Sequence, residues 1–141
     1  MKEVTKLQNI RTIKTNNCES LSSKSKLEYQ IGCQGDSDFY LRINKNSGGG
    51  WFSGDWISIK RIIGALESTD QPLTSYPIQT LFSGKSVNTA AFLFAALKEE
   101  GLLITNAEIP RTYVLQAVEP FVQSLKLLAK STNPVKAKTP S

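Results

Sequence analysis

Apolar residues are densest between Ser86 and Leu103, in the stretch SVNTAAFLFAALKEEGLL, and the other elements are read around it. Val87, Ala90, Ala91, Phe94 and Leu97 follow the spacing of one helical face, and Phe92, Leu93, Ala95 and Ala96 carry the apolar surface around most of the cylinder. Ser86 suits an N-cap, and Gly101 suits the position past the last turn, where a positive φ carries no Cβ penalty. The spacing predicts a helix over 87–100, either central to the fold or an interface.

Period two, the mark of a half-buried strand, governs KLEYQIGCQ, where Leu27, Tyr29, Ile31 and Cys33 alternate with Glu28, Gln30, Gly32 and Gln34. After the turn-forming GDSD, FYLRINKN sets Phe39, Leu41 and Ile43 opposite Tyr40, Arg42 and Asn44, so an antiparallel hairpin is predicted over 26–45. Ile59, Ile62, Ile63 and Leu66 line a helix running from Trp56 to Glu67 or Ser68, capped by Asp55 and packed on the hairpin's apolar face. Residues 69–85, broken by Pro72 and Pro77, read as a loop with a short helical turn or strand at 78–82. Beyond Gly101, LLITNAEI and RTYVLQAV are divided by Pro110 and read as two strands, or as a strand with an extended connection. Pro120 fits a first helical turn, and Phe121, Val122, Leu125 and Leu128 then make an amphipathic helix ending in Lys126 and Lys130.

The N-terminal pattern is weaker. Val4, Leu7, Ile10 and Ile13 in a polar background predict a strand or short helix near 7–14, followed by a flexible TNNCESLSSKSK linker. The expected fold class is α+β: an N-terminal antiparallel β-hairpin with a packed helix, then a helix-rich half with a wing-like pair of strands and a C-terminal helix. The expected layout is a flexible basic segment over 1–25, one domain over 26–131 and a disordered basic tail over 132–141.

Composition narrows the chemistry. No apolar run reaches the roughly 18–20 residues of a membrane span, and the first residues lack the apolar core of a secretory leader, so a cytoplasmic protein is expected. Cys18 and Cys33 read as reduced thiols, with a single disulfide as the alternative. With 0 histidines in 141 residues, histidine-based nucleophile systems and metal sites are excluded, and no cofactor or metal is expected. The net charge of +5 is unevenly placed. Residues 1–26 and 126–141 each carry +4, and residues 27–125 carry −3, so the basicity belongs to the ends.

Asp36 with Asp38, and Glu99 with Glu100, are the carboxylate neighbours, and both pairs read as solvated. Gly84, Lys85 and Ser86 match the end of a phosphate-binding P-loop, but that loop needs a glycine where Gln79 stands. Nucleotide hydrolysis is therefore not expected. A single backbone phosphate at the helix start fits better.

Taken with its flanks, GKSVNTAAFLFAALKEEGLLITNAEIPRTYVLQAV resembles the passage from third helix to wing in winged helix-turn-helix proteins. The resemblance covers residues 84–118 and implies a non-enzymatic DNA-binding or regulatory protein. It places Lys85, Ser86, Asn88 and Thr89 against DNA at the helix start, and Arg111 and Tyr113, with Thr112, in or near the wing. The stretch Ala90 to Leu97 departs from the pattern, since it offers hardly any polar side chain to read base edges. An ordinary core helix running into a strand is the alternative.

A second reading starts from NSGGGWFSGDW, where glycines frame Trp51, Phe52 and Trp56. Large rigid aromatics are favoured at protein interfaces, so these three residues make the chain a candidate adaptor or inhibitor of a larger complex. They could equally close the end of the hairpin core. Tyr40 and Arg42, on the hairpin's outer face, have the character of a platform for stacking single-stranded bases. The partners expected are DNA or a protein or nucleoprotein complex, with no membrane, and a homodimer through the 87–100 or 119–130 helix.

Overall fold

The computed structural model describes residues 9–35, 37–48, 52–70, 73–75 and 87–131. It is an α+β fold in two layers. A four-stranded antiparallel sheet runs in the order β1 (Arg11–Glu19), β2 (Lys26–Gln34), β3 (Asp38–Asn46) and β4 (Ile57–Ser58). Among the described residues, three helices, α1 (Ile59–Glu67), α2 (Val87–Glu99) and α3 (Val118–Ser131), accompany a two-stranded sheet of β5 (Leu103–Thr105) and β6 (Tyr113–Leu115).

The predicted hairpin is β2–β3, registered from Gln34 opposite Asp38 to Leu27 opposite Asn46. Its turn includes Gly35 at φ +68, a conformation that glycine adopts without penalty. One face contributes Leu27, Tyr29, Ile31, Cys33, Phe39, Leu41 and Ile43 to the core, all buried. Helix α1 lays Ile59, Ile62, Ile63 and Leu66 into that core. It starts later than Asp55 because Ile57 and Ser58 are extended and pair with Leu41 and Tyr40. Ser58 is the N-cap, its hydroxyl accepting from the Arg61 amide at 3.3 Å.

Helix α2 is the central helix: Thr89, Ala90 and every residue from Phe92 to Leu97 are buried. It ends in a Schellman motif. The Leu102 amide donates to the Leu97 carbonyl at 3.0 Å and the Gly101 amide to the Lys98 carbonyl at 3.1 Å, with Gly101 at φ +88. The chain then enters β5. Strand β6 returns with Leu115 opposite Leu103, and Leu73 exchanges two backbone hydrogen bonds with Tyr113, at 2.9 and 2.8 Å. Helix α3 buries Phe121, Leu125 and Ala129, one per turn, and the Arg11 guanidinium donates to the Ala129 carbonyl at 3.1 Å.

One expectation is corrected. The segment read as a flexible linker is the second half of β1, paired through to Glu19 opposite Lys26, with Cys18 buried. A compact serine turn follows, in which the Ser20 amide donates to the Ser25 carbonyl at 2.9 Å. Apolar alternation is weak in β1 because Lys14 and Asn16 point toward the helices, where polar partners from elsewhere in the chain meet them. On α2, Ala90 and the residues from Phe92 to Leu97 are buried in the chain's own core. On α3, Leu127 stays 68% exposed. The tail over 132–141, and residues 78–82, lie outside the described residues.

Candidate functional site

The helices pack on one face of the large sheet, and among the described residues no helix covers the other. Period two puts Glu28, Gln30 and Gly32 of β2, and Tyr40 and Arg42 of β3, on this outer face. Gly32 is its low point. A Cβ built there would lie 2.5 Å from Ile10 Cγ2, 2.8 Å from Trp56 Cη2 and 3.0 Å from Trp56 Cζ3. Ile10 and the Trp56 indole are therefore seated directly on the glycine backbone, a close approach that any side chain would block.

Arg42 lies over this indole, with Cζ 4.3 Å from the ring centroid. Its Nε and Nη2 donate to Gln30 Oε1 at 2.9 and 2.7 Å, and Gln30 Nε2 donates in turn to Thr15 Oγ1 at 3.3 Å. A chain of side chains from Thr15 through Gln30 thus holds the Arg42 guanidinium over the Trp56 indole. Trp56 is half-buried but is not part of the hydrophobic core. Tyr40, opposite Gly32 in register, is also half-buried. Burial first, and then the charge of Asp38, raise its phenol pKa, so it stays protonated near neutral pH. Among the described residues, charges on the outer face are balanced, with Glu19, Glu28 and Asp38 set against Lys26, Arg42 and Lys45.

The sheet's inner face holds a second polar group. Tyr29, fully buried, donates its phenol to Glu100 Oε2 and accepts from Asn16 Nδ2 at 3.3 Å. Lys14 Nζ reaches both carboxylate oxygens, at 3.0 and 2.8 Å. The Glu100 side chain is 7% exposed, which corrects its reading as solvated. Burial, then the hydrogen bond to Glu100, push the Tyr29 pKa far up, so the phenol is locked as a donor. No buried side-chain nitrogen or oxygen among the described residues lacks a partner, and a network so fully satisfied is a structural tie between the sheet and α2.

Cys18 borders a cavity of about 300 Å³ with Ser20, Lys98 and Glu99. Its thiol is pushed up from 9.0 to about 11, chiefly by burial and then by Glu99 and Glu100, so it is a poor nucleophile. At pH 8, alkylation of Cys18 is expected to run ~100-fold slower than in the urea-unfolded chain from thiolate fraction alone. Peptide-resolved mass spectrometry checks this, and equal rates would refute it. Between pH 9 and about 11 the unfolded chain loses this proton and the folded chain keeps it. The associated stability is complete below pH 9 and is lost as pH rises toward 11.

Of the residues predicted to contact DNA, two that the structure describes, Thr89 and Tyr113, are buried. Thr89 is 1% exposed, and its hydroxyl accepts from the Ser53 amide at 2.9 Å. Tyr113 is buried edge-on against Phe94, with centroids 5.2 Å apart. Both serve the core, because α2 and β6 pack inward at these points. Asn88 is half-buried in the first turn of α2, and Lys85 and Ser86 lie outside the described residues. Arg111 is exposed at φ 65 in the β5–β6 turn, where Asn106 Oδ1 accepts from the Glu108 amide at 2.8 Å.

The aromatic trio is divided too. Trp51 lies outside the described residues. Phe52 packs edge-on against Phe92 at 6.2 Å on the helix side, while Trp56 sits on the opposite face of the sheet. Gln30, Gly32 and Thr15 were not among the sequence candidates. The signal that points to them is a glycine inside a strand of period two, next to Tyr40 and Arg42 on one face.

Among the described residues, no group of Cys, Asp and Glu side chains could hold a metal ion, and no helix is long and apolar enough to cross a membrane. No protein-family model, curated protein or solved structure matches the chain.

Proposed function

We propose that this protein is a non-enzymatic binding module that docks a protein partner on the outer face of its four-stranded sheet, with Trp56, Arg42 and Tyr40 at the centre. The observation that carries this reading is the Trp56 indole, seated on Gly32 under the Arg42 guanidinium and outside the hydrophobic core. Trp, Tyr and Arg dominate the energetics of protein interfaces because each buries a large surface with few rotamers to freeze, and here the arginine is already ordered. The balanced charge of the face suits a protein surface better than a polyanion.

Two substitutions test it. Trp56→Ala removes the indole, and Gly32→Val forces it off the sheet. Each is expected to weaken partner capture ~30-fold or more, a loss of about 2 kcal/mol. Trp56→Ala should leave the melting temperature within about 3 °C, as a residue outside the core allows. Undiminished capture by both variants would sink the reading.

A DNA-binding role is the second reading, supported by the order of helix α2 and the β5–β6 hairpin with Arg111 exposed at its turn. The docking reading expects little duplex binding. A gel shift that weakens steeply with salt and is lost in Arg111→Ala would favour DNA instead.

A further inference from the structure

We infer that the outer face of the sheet recognises an acidic side chain of its protein partner, with the carboxylate received by Arg42 and its neighbouring apolar residue laid against Trp56. The inference rests on the docking reading above and names the chemistry that the face selects.

A guanidinium carries five N–H donors in a rigid fork. In Arg42 the Nε hydrogen and one Nη2 hydrogen are committed to Gln30 Oε1, and Cζ lies 4.3 Å from the centroid of the Trp56 ring. The end of the fork formed by Nη1 and the second Nη2 hydrogen has no partner among the described residues. That end matches the two oxygens of a carboxylate, which it can bind through parallel hydrogen bonds. Gln30, braced by Thr15, holds the fork in place before a partner arrives, so little rotamer entropy is left to lose.

Charge selects a carboxylate over a phosphate chain. Among the described residues, Arg42 is the single cation at the centre of the face, while Lys45 and Lys26 stand toward its end, opposite Glu28 and Glu19 in register. One cation on a neutral surface is matched by one monoanion. A nucleic-acid backbone would bring successive phosphates against Glu28 and Asp38.

The test pans a random linear peptide library on the full chain and synthesises the enriched peptides. The expected result is an Asp or Glu at a fixed position beside an aromatic or aliphatic residue. Affinity should fall about tenfold or more when Arg42→Gln is made, and equally when the peptide's own acid is replaced by its amide. The two changes together should cost little more than either alone. Arg42→Lys, which keeps the charge and loses the fork, should recover only part of the affinity, and circular dichroism checks that each variant is folded. Peptides lost on Trp56→Ala but indifferent to Arg42→Gln would overturn the carboxylate while leaving the docking face. Peptides indifferent to both variants, or no enrichment at all, would overturn the face itself.

Discussion

Replacing Phe94 by alanine is expected to lower the unfolding free energy by about 3–5 kcal/mol, the range for deleting a buried aromatic ring. Phe94 is fully buried on α2 and meets Tyr113 edge-on at 5.2 Å and 78°, so it joins the central helix to the β5–β6 hairpin. The loss combines ring transfer, the cavity left behind and an aromatic pair worth about 0.5–1.5 kcal/mol. Against a typical total of about 5–15 kcal/mol, that is a large share. Urea unfolding monitored by circular dichroism measures it, with Phe94→Leu as a control expected to cost less because it leaves a smaller void. A loss below about 1 kcal/mol for the alanine variant would mean that the hairpin is not packed on α2 as described.

The second large effect is expected at Glu100, where the sheet meets the end of α2. Glu100→Ala strands the buried Tyr29 phenol without its acceptor and leaves Lys14 without its counterion, at a combined cost of about 2–4 kcal/mol. The figure lies toward the low end for a broken buried pair because the Lys14 side chain is 35% exposed and water can compensate it. Lys14→Met leaves the Glu100 carboxylate, 7% exposed, with the Tyr29 phenol but without its cation, and should cost about 1–3 kcal/mol. Glu100→Gln keeps an acceptor for the phenol and should cost less than the alanine variant. Tyr29→Phe combined with Glu100→Ala should cost less than the sum of the two single changes, since neither partner is then left unsatisfied. Strict additivity in a double-mutant cycle would show that the two groups do not communicate.

The same network explains why β1 was hard to read. A strand declares itself by alternating apolar residues, and in β1 the positions facing the helices include Lys14 and Asn16. They are tolerated because Glu100 and Tyr29 satisfy them, at separations of 86 and 13 residues along the chain. No local pattern carries that information. The β2–β3 hairpin, α1, α2 with its glycine terminus and α3 were all legible because each announces itself within one turn or one strand pair. The start of α1 shifted from Asp55 to Ser58 because pairing with β3 won over capping propensity.

The candidate site was legible only in pieces. Arg42, Tyr40 and Trp56 each attract attention in the sequence, the first two as outer-face residues of a hairpin and the third as an indole in a glycine-rich loop. That Trp56 crosses the sheet edge to rest on Gly32, while Phe52 turns to the opposite face, follows from the path of the chain beside β3. Likewise the polar residues at the start of α2 look available for DNA, yet Thr89 is used internally to cap the Ser53 amide.

By itself the sequence determined the α+β class, the apolar central helix with its end at Gly101, the hairpin and its two faces, and the lack of histidine chemistry. These rest on periodicity and residue type, which act over a few neighbouring positions. Tertiary structure alone decided that β1 belongs to the sheet, that Glu100 is buried, and that Trp56 and Arg42 form one ordered surface. Each of those depends on satisfying a polar group or filling a space with atoms from a distant part of the chain, and that choice is made only when the elements pack.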